Sequence, residues 1–280
     1  MKISIIGVGL IGGSIALNLK SKGFTNKVIG IDQQIKHLEE ALNLNIIDEY
    51  RDLDSGIRDA DLIILAIPVD AARKVLPSIL DQITDKQTVM DVGSTKAGIT
   101  AAVKNHPNRN RYVAFHPMWG TENAGPSSAL AESFTERAAV ICNREESAED
   151  AVETVKKVAE TLGMHTIFMN AEDHDIHTAY ISHISHITSF ALANTVLEKE
   201  KEEDTIFQLA SSGFSSTVRL AKSHPEMWVP IFKQNKENVL DVLNEHISQL
   251  RKFKSALEKE NFDYVEDLIR NANKIRGILK

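Results

Sequence analysis

The first 169 residues alternate between short apolar runs rich in β-branched residues and longer segments with helical periodicity. Short, continuously apolar runs are typical of strands that are buried on both faces of a sheet. Strands that alternate with helices predict a parallel sheet wrapped by helices. The runs that predict strands are Lys2 to Ile6, Lys27 to Ile31, Asp61 to Ile67, Thr88 to Val92, Tyr112 to Phe115, Ala138 to Cys142 and His165 to Phe168.

Beyond Asn170 the β-branched runs stop and long helical periodicities begin. We therefore predict two domains, an α/β domain over residues 1–169 and an all-α domain over residues 170–280. Near the end of the chain, apolar residues recur at spacings of three and four, which predicts a long helix with one apolar seam. The seam residues are Leu240, Leu243, Ile247, Leu250 and Leu257. The seam can pack inside the chain or across a dimer, and we favour a homodimer through the helical domain.

Composition and charge exclude several classes of protein. The net charge of -7, without any lysine- and arginine-rich block, argues against a nucleic-acid partner. The longest apolar run, Leu62 to Val69, is too short to span a membrane, and Met1 leads directly into a strand rather than a signal peptide. The single cysteine, Cys142, excludes an internal disulfide and suits a cytoplasmic protein. The charged run Glu198 to Asp204 predicts a solvated helix end or loop.

The first candidate site is a glycine-rich turn between the first predicted strand and a helical run from Ser14 to Lys22. Glycines there allow the backbone to approach a pyrophosphate, while the start of the helix receives the phosphate charge. Asp32 ends the second strand about twenty residues later, where a carboxylate binds ribose hydroxyls and repels a 2′-phosphate. This favours NAD over NADP, although a glycine-rich turn without a ligand is the alternative. The predicted cofactor-binding residues are Gly7, Gly9, Leu10, Ile11, Gly12 and Asp32.

Two further predicted strands lead into candidate catalytic residues. His116 follows an apolar strand, and a histidine at the carboxyl end of a strand in such a sheet is a candidate catalytic base. Ser94 follows the preceding strand and would face the same crevice, where its hydroxyl can orient an imidazole or a substrate. Ser94 or Thr95 is also a candidate N-cap of the helix predicted from Ala97, and the two roles are compatible. Lys96 is expected to be a solvated residue of the first helical turn.

A histidine-dense helical stretch from Glu172 to Thr195 is the third candidate. Zinc ligation is one interpretation of neighbouring histidines on a helix. The spacings argue against it, because no His-Glu-x-x-His motif is present and no third ligand is indicated. We therefore predict no metal site. The histidines of this stretch are His174, His177, His183 and His186.

The segment from Gly213 to Trp228 places one arginine, Arg219, among small and apolar residues. A guanidinium in such surroundings is costly to bury unless an anion meets it, and its planar shape suits a carboxylate. A surface salt bridge is the alternative interpretation.

Taken in order, these motifs resemble the prephenate/arogenate dehydrogenase family of tyrosine biosynthesis. The loop from His116 to Glu122, which reads His-Pro-Met-Trp-Gly-Thr-Glu, resembles the active-site loop of these enzymes. Two further motifs of the family have counterparts in this chain. One comprises the segments around Asp173-His-Asp and Ser182-His, and the other is the pattern Gly-Phe, Thr-x-Arg and Pro-x-Met-Trp that ends at Trp228. The chain departs from the family pattern at Trp119, where a small residue is common, at Asn123-Ala124, where Lys-Ser is typical, and at Ser215-Ser216, which lacks a frequent basic-acid pair. The departures bear on the choice of substrate.

The resemblance implies a Rossmann-type NAD-dependent dehydrogenase that oxidises and decarboxylates prephenate to 4-hydroxyphenylpyruvate. It implies that His116 is the catalytic proton acceptor and that Ser94 assists it. It places Arg219 at the substrate carboxylate and His183 at the substrate side chain, as a hydrogen-bond donor. The remaining substrate-binding residues that it implies are Thr121, Trp228 and Glu122, the last pairing with Arg219 to gate the pocket.

Arogenate is a second substrate that the same family resemblance allows. An arogenate dehydrogenase would have to offset the ammonium group that arogenate carries in place of the keto group of prephenate. Because the segment around Arg219 offers hydroxyls and no acid, we favour prephenate, and Glu122 is the one nearby acid that would reverse this choice. Two further functions are compatible with the nucleotide-binding pattern, namely a different dehydrogenase with the same two kinds of domain and a non-catalytic NAD-binding sensor.

Overall fold

The computed structural model of the protein describes residues 1–201 and 205–278. Residues 202–204, which end the charged run from Glu198, lie outside the described residues, and the run begins in a helix where Glu198 pairs with Lys201 at 3.2 Å. The chain forms two compact units, Met1–Asn235 and Lys236–Lys280. This division falls later than the predicted boundary near residue 170, because the helices between residues 171 and 234 belong to the first unit. The domain boundary near residue 170 stays a prediction.

Eight strands and twelve α-helices follow one another along the described residues. The strands are β1 Lys2–Ile6, β2 Lys27–Ile31, β3 Glu49–Tyr50, β4 Leu62–Leu65, β5 Thr88–Asp91, β6 Tyr112–Pro117, β7 Ala138–Cys142 and β8 His165–Met169. The α-helices are α1 Leu10–Ser21, α2 Ile35–Asn43, α3 Leu53–Arg58, α4 Val69–Gln82, α5 Ala97–Val103, α6 Glu149–Leu162, α7 Ala171–Thr178, α8 Ile184–Glu200, α9 Ser212–Thr217, α10 Pro225–Gln234, α11 Lys236–Glu258 and α12 Phe262–Ala272. A π-helical turn, Ala179–His183, lies between α7 and α8.

The strands form one sheet in the order β3-β2-β1-β4-β5-β6-β7-β8. The predicted α/β architecture with a wrapped parallel sheet is confirmed, with one exception. β6 and β7 are antiparallel, because the chain returns from the carboxyl end of β6 through a loop instead of a crossover helix. The short edge strand β3 was not predicted, and α1 begins at Leu10 rather than at Ser14.

Both faces of the sheet are buried along the inner strands, which explains why these strands read as continuous apolar runs, whereas Ile167 and Phe168 of the edge strand β8 are exposed. In β4, Leu62 and Ile64 belong to the apolar cluster on one face, while Ile63 and Leu65 belong to the cluster on the other. Successive side chains of a strand point to opposite faces, so such a strand is mostly apolar, and a polar residue within it, such as Ser4, is buried with a hydrogen-bond partner.

The order of the strands determines where a ligand can bind. β1 pairs with β2 on one side and with β4 on the other. The strands β2 and β3 therefore extend the sheet in one direction from β1, and the strands from β4 onward extend it in the other. Such a switch point opens a crevice at the carboxyl ends of the strands. The residues that follow β1, β2 and β5, together with His116 near the end of β6, lie along this edge.

In the second unit, the predicted long helix is α11. Three residues of its predicted seam are largely exposed, namely Leu240, Leu250 and Leu257, with 42%, 56% and 55% of their surface accessible. Helix α12 adds the exposed side chains of Phe262 and Ile269. Among the described residues, no helix is long and apolar enough to cross a membrane.

Gly12 provides a test of the contact between α1 and β1. A Cβ atom at Gly12 would lie 2.1 Å from the carbonyl oxygen of Gly7, whereas nothing lies within 4 Å of a Cβ atom at Gly9. Because backbone cannot give way as a flexible side chain does, we expect Gly12→Ala to lower the free energy of unfolding by about 1–3 kcal/mol or more. Gly9→Ala is the control and should cost less than about 1 kcal/mol. Urea unfolding measures both values, and equal stability of the two variants would contradict this packing.

Candidate active site

The glycine-rich turn is shaped for a ligand. Gly7 has a φ of +96°, and a Cβ atom there would lie 2.3 Å from the carbonyl oxygen of Ala66, so only glycine fits. The space around Gly9 is open, and no side chain caps the start of α1 at Leu10. The amide groups of this first turn are therefore available to an anion such as a pyrophosphate.

Asp32 is held at the end of β2 beside this turn. Its carboxylate accepts hydrogen bonds from the main-chain nitrogens of Val8 (3.2 Å) and Gln34 (2.9 Å). The imidazole of His37 lies 3.7 Å from the same carboxylate. The open turn, the uncapped helix and a fixed carboxylate together fit a dinucleotide, with Asp32 at a ribose.

The loop that follows β6 lies against α1. Leu130 donates its main-chain N–H to the hydroxyl of Ser14 at 2.9 Å and accepts a hydrogen bond from the side chain of Asn18 at 3.2 Å. Trp119 packs edge-on against Phe134, with ring centroids 4.8 Å apart. Trp119, at which the chain departs from the family pattern, therefore anchors this loop. Within the loop, the hydroxyl of Thr121 accepts a hydrogen bond from the main chain of Asn123 at 3.2 Å.

His116 lies near the end of β6 and only 9% of its surface is exposed. Its Nδ1 atom is 2.8 Å from Nε2 of His174. Burial lowers the pKa of His116 well below its usual value of 6.5, and the neighbouring His174, Lys96 and His183 lower it further. The imidazole is therefore uncharged at neutral pH, as a proton acceptor must be.

His174 and Asp175 belong to the site, although sequence analysis singled them out only as part of a motif and gave neither of them a role. Nδ1 of His174 lies 2.8 Å from Oδ1 of Asp175. The Asp175 carboxylate also accepts hydrogen bonds from the main-chain nitrogens of Lys96 (2.7 Å) and Ala97 (3.0 Å). Asp175 therefore caps α5 from a distant helix, and the N-cap predicted at Ser94 or Thr95 is wrong. The signals that could have assigned them a role were the resemblance of the segment Asp173-His-Asp to the family and the acidic residue directly after a histidine.

Lys96 is completely buried, so its prediction as a solvated residue is wrong. Its ammonium group lies 2.5 Å from the carboxylate of Asp91, which also accepts a hydrogen bond of 2.6 Å from the hydroxyl of Tyr112. A buried ion pair with its remaining acceptors satisfied holds the connection between β5 and α5 in one conformation. Ser94 is half-buried in this connection.

The π-helical turn determines where His183 lies. In a regular helix, His183 would be about 180° around the axis from His174, because nine residues advance by about 100° each. A π turn absorbs one extra residue and leaves a difference of about 80°, which brings both histidines toward one side of the helix. His183 is buried, with 1% of its surface exposed, and Nδ1 of its ring lies 3.1 Å from the side-chain nitrogen of Asn235. Burial lowers the pKa of His183 to about 4.

Trp228 closes the far side of this histidine cluster. Its indole ring stacks on His186 with centroids 3.5 Å apart and meets His183 edge-on at 5.8 Å. The indole Nε1 is buried without a hydrogen-bond partner among the residues that the structure describes. Trp228 thus packs against both His183 and His186, which lies one turn farther along the helix. The role of Trp228 in binding the substrate stays a prediction.

Arg219 is exposed over about half of its side chain and pairs with Glu122 at 2.7 Å. The predicted pairing of these residues is thus present, and it takes the form of the surface salt bridge that was the alternative interpretation of Arg219. The pKa of Glu122 is lowered by a hydrogen bond from its own main-chain amide and by Arg219. Arg219 already contacts one carboxylate and has the shape to bind another.

The structure brings His116, His174 and His183 together and places Glu122 beside Arg219. The described residues contain no group of three or more His, Cys, Asp or Glu side chains that could hold a metal ion. Cys142 is buried, and burial raises its pKa to about 12, so its thiol is inert.

Comparison with known proteins assigns the chain to a family. Residues 15–168 match the nucleotide-binding domain of prephenate dehydrogenase, and residues 170–271 match the dimerization domain of prephenate dehydrogenase. The chain belongs to the prephenate dehydrogenase family. It is 32% identical over 262 residues to the prephenate dehydrogenase of Bacillus subtilis (strain 168), covering 92% of this chain and 71% of that protein. The first match begins after Gly12, so the glycine-rich turn lies outside it.

Solved structures of the family have the same fold. The prephenate dehydrogenase from A. aeolicus in complex with hydroxyphenyl propionate and NAD+ has a TM-score of 0.91 and 28% identity, covering 100% of this chain and 98% of that chain. The Synechocystis arogenate dehydrogenase has a TM-score of 0.79 and 27% identity, and both chains are covered completely. This member of the prephenate dehydrogenase family is an NAD-dependent oxidoreductase.

Asp32 provides a test of cofactor choice. We expect the protein to prefer NAD to NADP, because the Asp32 carboxylate lies where a 2′-phosphate would bring a second negative charge. Asp32→Ala should reduce this preference, whereas Glu39→Ala, which removes an exposed acid from the next helix, should not. The ratio of kcat/KM for the two cofactors measures the effect. A wild-type protein that uses both cofactors equally would show that Asp32 does not select between them.

Proposed function

We propose that the protein is a prephenate dehydrogenase that oxidises and decarboxylates prephenate to 4-hydroxyphenylpyruvate in tyrosine biosynthesis. The observation that supports this proposal most directly is the uncharged His116 near the carboxyl end of β6, on the sheet edge where the glycine-rich turn lies. Oxidation of a secondary alcohol needs a neutral base for the hydroxyl proton beside a cofactor that takes up the hydride, and this edge provides both positions.

In the proposed reaction, bound NAD supplies the acceptor for the hydride from ring carbon C4. His116 accepts the proton of the C4 hydroxyl, and Ser94 helps to orient that hydroxyl from the loop after β5. When the ring carboxylate leaves as CO2, the electron pair of the broken bond enters the ring, and the resulting phenoxide takes back the proton held by His116 to give the aromatic product. Because aromatisation drives the reaction, the main tasks of the protein are to align the ring, polarise the hydroxyl and bind the anionic groups.

The remaining site residues are proposed to bind the substrate. Arg219 exchanges its partner Glu122 for a substrate carboxylate. Glu122 therefore gates the pocket. His183 donates a hydrogen bond to the side chain of the substrate, and Trp228 holds His183 in place. Thr121 lies in the loop next to Glu122 and contributes a hydroxyl to the same side.

Arogenate is the second candidate substrate, and Glu122 is the observation that favours it. Glu122 is the acid beside Arg219, and a carboxylate can offset the ammonium group of arogenate. In the present arrangement, however, Glu122 pairs with Arg219. The residues around Arg219, from Phe214 to Ala221, include no acid that could bind an ammonium group instead. We therefore propose prephenate as the preferred substrate.

We also propose that the protein is a cytoplasmic homodimer. The exposed side chains of Leu250, Leu257 and Phe262 form an apolar surface in the second unit that a second copy would cover. Most of this unit lies within the match to the family's dimerization domain, which ends at residue 271.

A direct assay tests the proposed function. Purified protein is incubated with NAD and either prephenate or arogenate, and both NADH and the aromatic product are followed. We expect a higher kcat/KM for prephenate. A clear advantage for arogenate would contradict the choice of substrate, and loss of that advantage in Glu122→Gln would identify the acid that recognises the ammonium group.

Replacement of His116 tests its role as the base. His116→Asn should reduce kcat about 10²- to 10⁴-fold and leave the KM for substrate nearly unchanged. His177→Asn, which changes an exposed histidine on α7, is the control and should have normal activity. Since the pKa of His116 lies well below 6.5, the wild-type kcat/KM should stay level from pH 7.5 to 6.5 and fall only in more acidic solution, when the imidazole gains a proton. A decline already centred at pH 6.5 would be inconsistent with this environment.

Arg219→Ala tests the proposed anion site. Without the guanidinium, the substrate carboxylate loses its charged partner, so the KM for substrate should rise by a factor that corresponds to about 1–2 kcal/mol, because water screens the half-exposed side chain. The affinity for NAD should not change. The control is Arg144→Ala, which removes an exposed arginine that pairs with Glu149 at 3.3 Å. If Arg219→Ala weakened NAD binding instead, Arg219 would belong to the cofactor site.

A further inference from the structure

A chain of hydrogen bonds connects the two buried histidines of the site through a single residue, Asp175. On one branch, Nδ1 of His116 is 2.8 Å from Nε2 of His174, and Nδ1 of His174 is 2.8 Å from the carboxylate of Asp175. On the other branch, the main-chain oxygen of Asp175 accepts a hydrogen bond of 2.7 Å from the side chain of Asn235. The same nitrogen of Asn235 lies 3.1 Å from Nδ1 of His183.

The first branch determines which nitrogen of His116 bears a proton. The Asp175 carboxylate accepts two main-chain N–H groups, from Lys96 and Ala97, and such bonds favour its ionised, acceptor form. Nδ1 of His174 must therefore be the donor to Asp175. A neutral imidazole has only one N–H group, so Nε2 of His174 is an acceptor. The bond to His116 then requires a proton on Nδ1 of His116 and leaves its Nε2 unprotonated.

The second branch gives the opposite result for His183. A main-chain carbonyl oxygen can only accept, so the Asn235 atom beside it must be the amide NH2 group. This group donates its second hydrogen to Nδ1 of His183, which must then be an acceptor. The single proton of a neutral His183 therefore lies on Nε2.

All three imidazoles are uncharged in their surroundings, as both assignments require. The charged or titratable groups that face His116 are His174, Lys96 and His183, and none of them is an anion. Burial lowers the pKa of His174 although Asp175 and Asp91 partly offset the effect, and Lys96 acts in the same direction as burial. For His183, burial outweighs the effect of Asp175, and the neighbouring His174 and His186 add to the lowering of the pKa.

We propose that Asp175 is a positioning residue that holds His116 and His183 in opposite tautomers. Nε2 of His116 is thereby an acceptor for the substrate hydroxyl, and Nε2 of His183 is a donor to the substrate side chain. The tautomers follow from the hydrogen bonds between uncharged imidazoles, whereas their use in catalysis rests on the proposed function. One carboxylate, with its own main-chain carbonyl, thus prepares both an acceptor and a donor before the substrate binds.

The tautomers can be measured directly by ¹⁵N NMR of the imidazole nitrogens at pH 7.5, with His116→Gln and His183→Gln used to assign the signals. In the wild-type protein, we expect unprotonated nitrogens at Nε2 of His116 and at Nδ1 of His183. A proton on Nε2 of His116 would overturn the proposal. This measurement needs no substrate, so it stands even if the protein turns over neither prephenate nor arogenate, an outcome that would refute only the proposed function.

Asp175→Asn tests the effect on catalysis. An amide cannot accept all three N–H groups that the carboxylate accepts, and when its NH2 group faces His174 the tautomers of His174 and His116 reverse. We expect the proton to appear on Nε2 of His116 and kcat to fall about 10²- to 10⁴-fold, with KM and the affinity for NAD within about threefold of wild type. Asp173→Asn, the same change at an exposed position of α7, should alter neither the tautomers nor kcat. Unchanged kcat in a folded Asp175→Asn protein would overturn the proposal.

A second pair of variants distinguishes positioning from simple packing, and it decides the matter if Asp175→Asn does not fold. Glutamine at position 174 offers one donor and one acceptor, as neutral imidazole does, whereas leucine fills space and offers neither. His174→Gln should keep kcat within about tenfold of wild type with Nε2 of His116 unprotonated. His174→Leu should lose about a hundredfold or more. Equal activity of the two folded variants would show that the hydrogen bonds through His174 do not prepare His116.

Discussion

The carboxylate of Asp175 is the point on which the geometry of the site depends. It is buried, and it joins the first turn of α5 to α7 by accepting the main-chain N–H groups of Lys96 and Ala97. A buried carboxylate must have its hydrogen-bonding capacity filled, because an unpaired charge in the interior costs several kcal/mol. The helix that bears Asp175 therefore has one favourable position against the sheet. That position in turn brings His174 to His116.

A second buried charge pair supports the same region from below. Lys96 and Asp91 neutralise each other, and Tyr112 fills a remaining acceptor position of Asp91. Burial is the main cause of the lowered pKa of His116 and His174, and the nearby ammonium group of Lys96 lowers both further, although Asp91 partly offsets this effect at His174. The groups that give the connection between β5 and α5 a single conformation thus also keep the proposed base uncharged. By contrast, the pair of Arg219 and Glu122 lies at the surface, where water screens it and either partner can exchange for a substrate group.

Much of the architecture was predictable from local patterns. Apolar runs identified seven of the eight strands, chiefly because both faces of the sheet are buried along its inner strands. The turn from Gly7 to Gly12 indicated the nucleotide fold because only glycine fits where α1 crosses β1. The edge strand Glu49–Tyr50 escaped because two residues carry no periodicity. Resemblance of the loop from His116 to Glu122 indicated the family, and the pairing of Glu122 with Arg219 followed from it.

The sequence by itself thus determined the fold class, the nucleotide turn and the candidate base, since each depends on residues that are close along the chain. Only the tertiary structure decided the surroundings of that base. His116 and His174 are 58 residues apart, and Lys96 and Asp175 are 79 residues apart, so no local periodicity signals either contact. Lys96 had the local pattern of a solvated residue, and it is buried because Asp91 faces it in the fold. Burial and hydrogen-bond partners of this kind depend on packing, and they determine the protonation state of a histidine. The sequence identifies the histidine but not its surroundings.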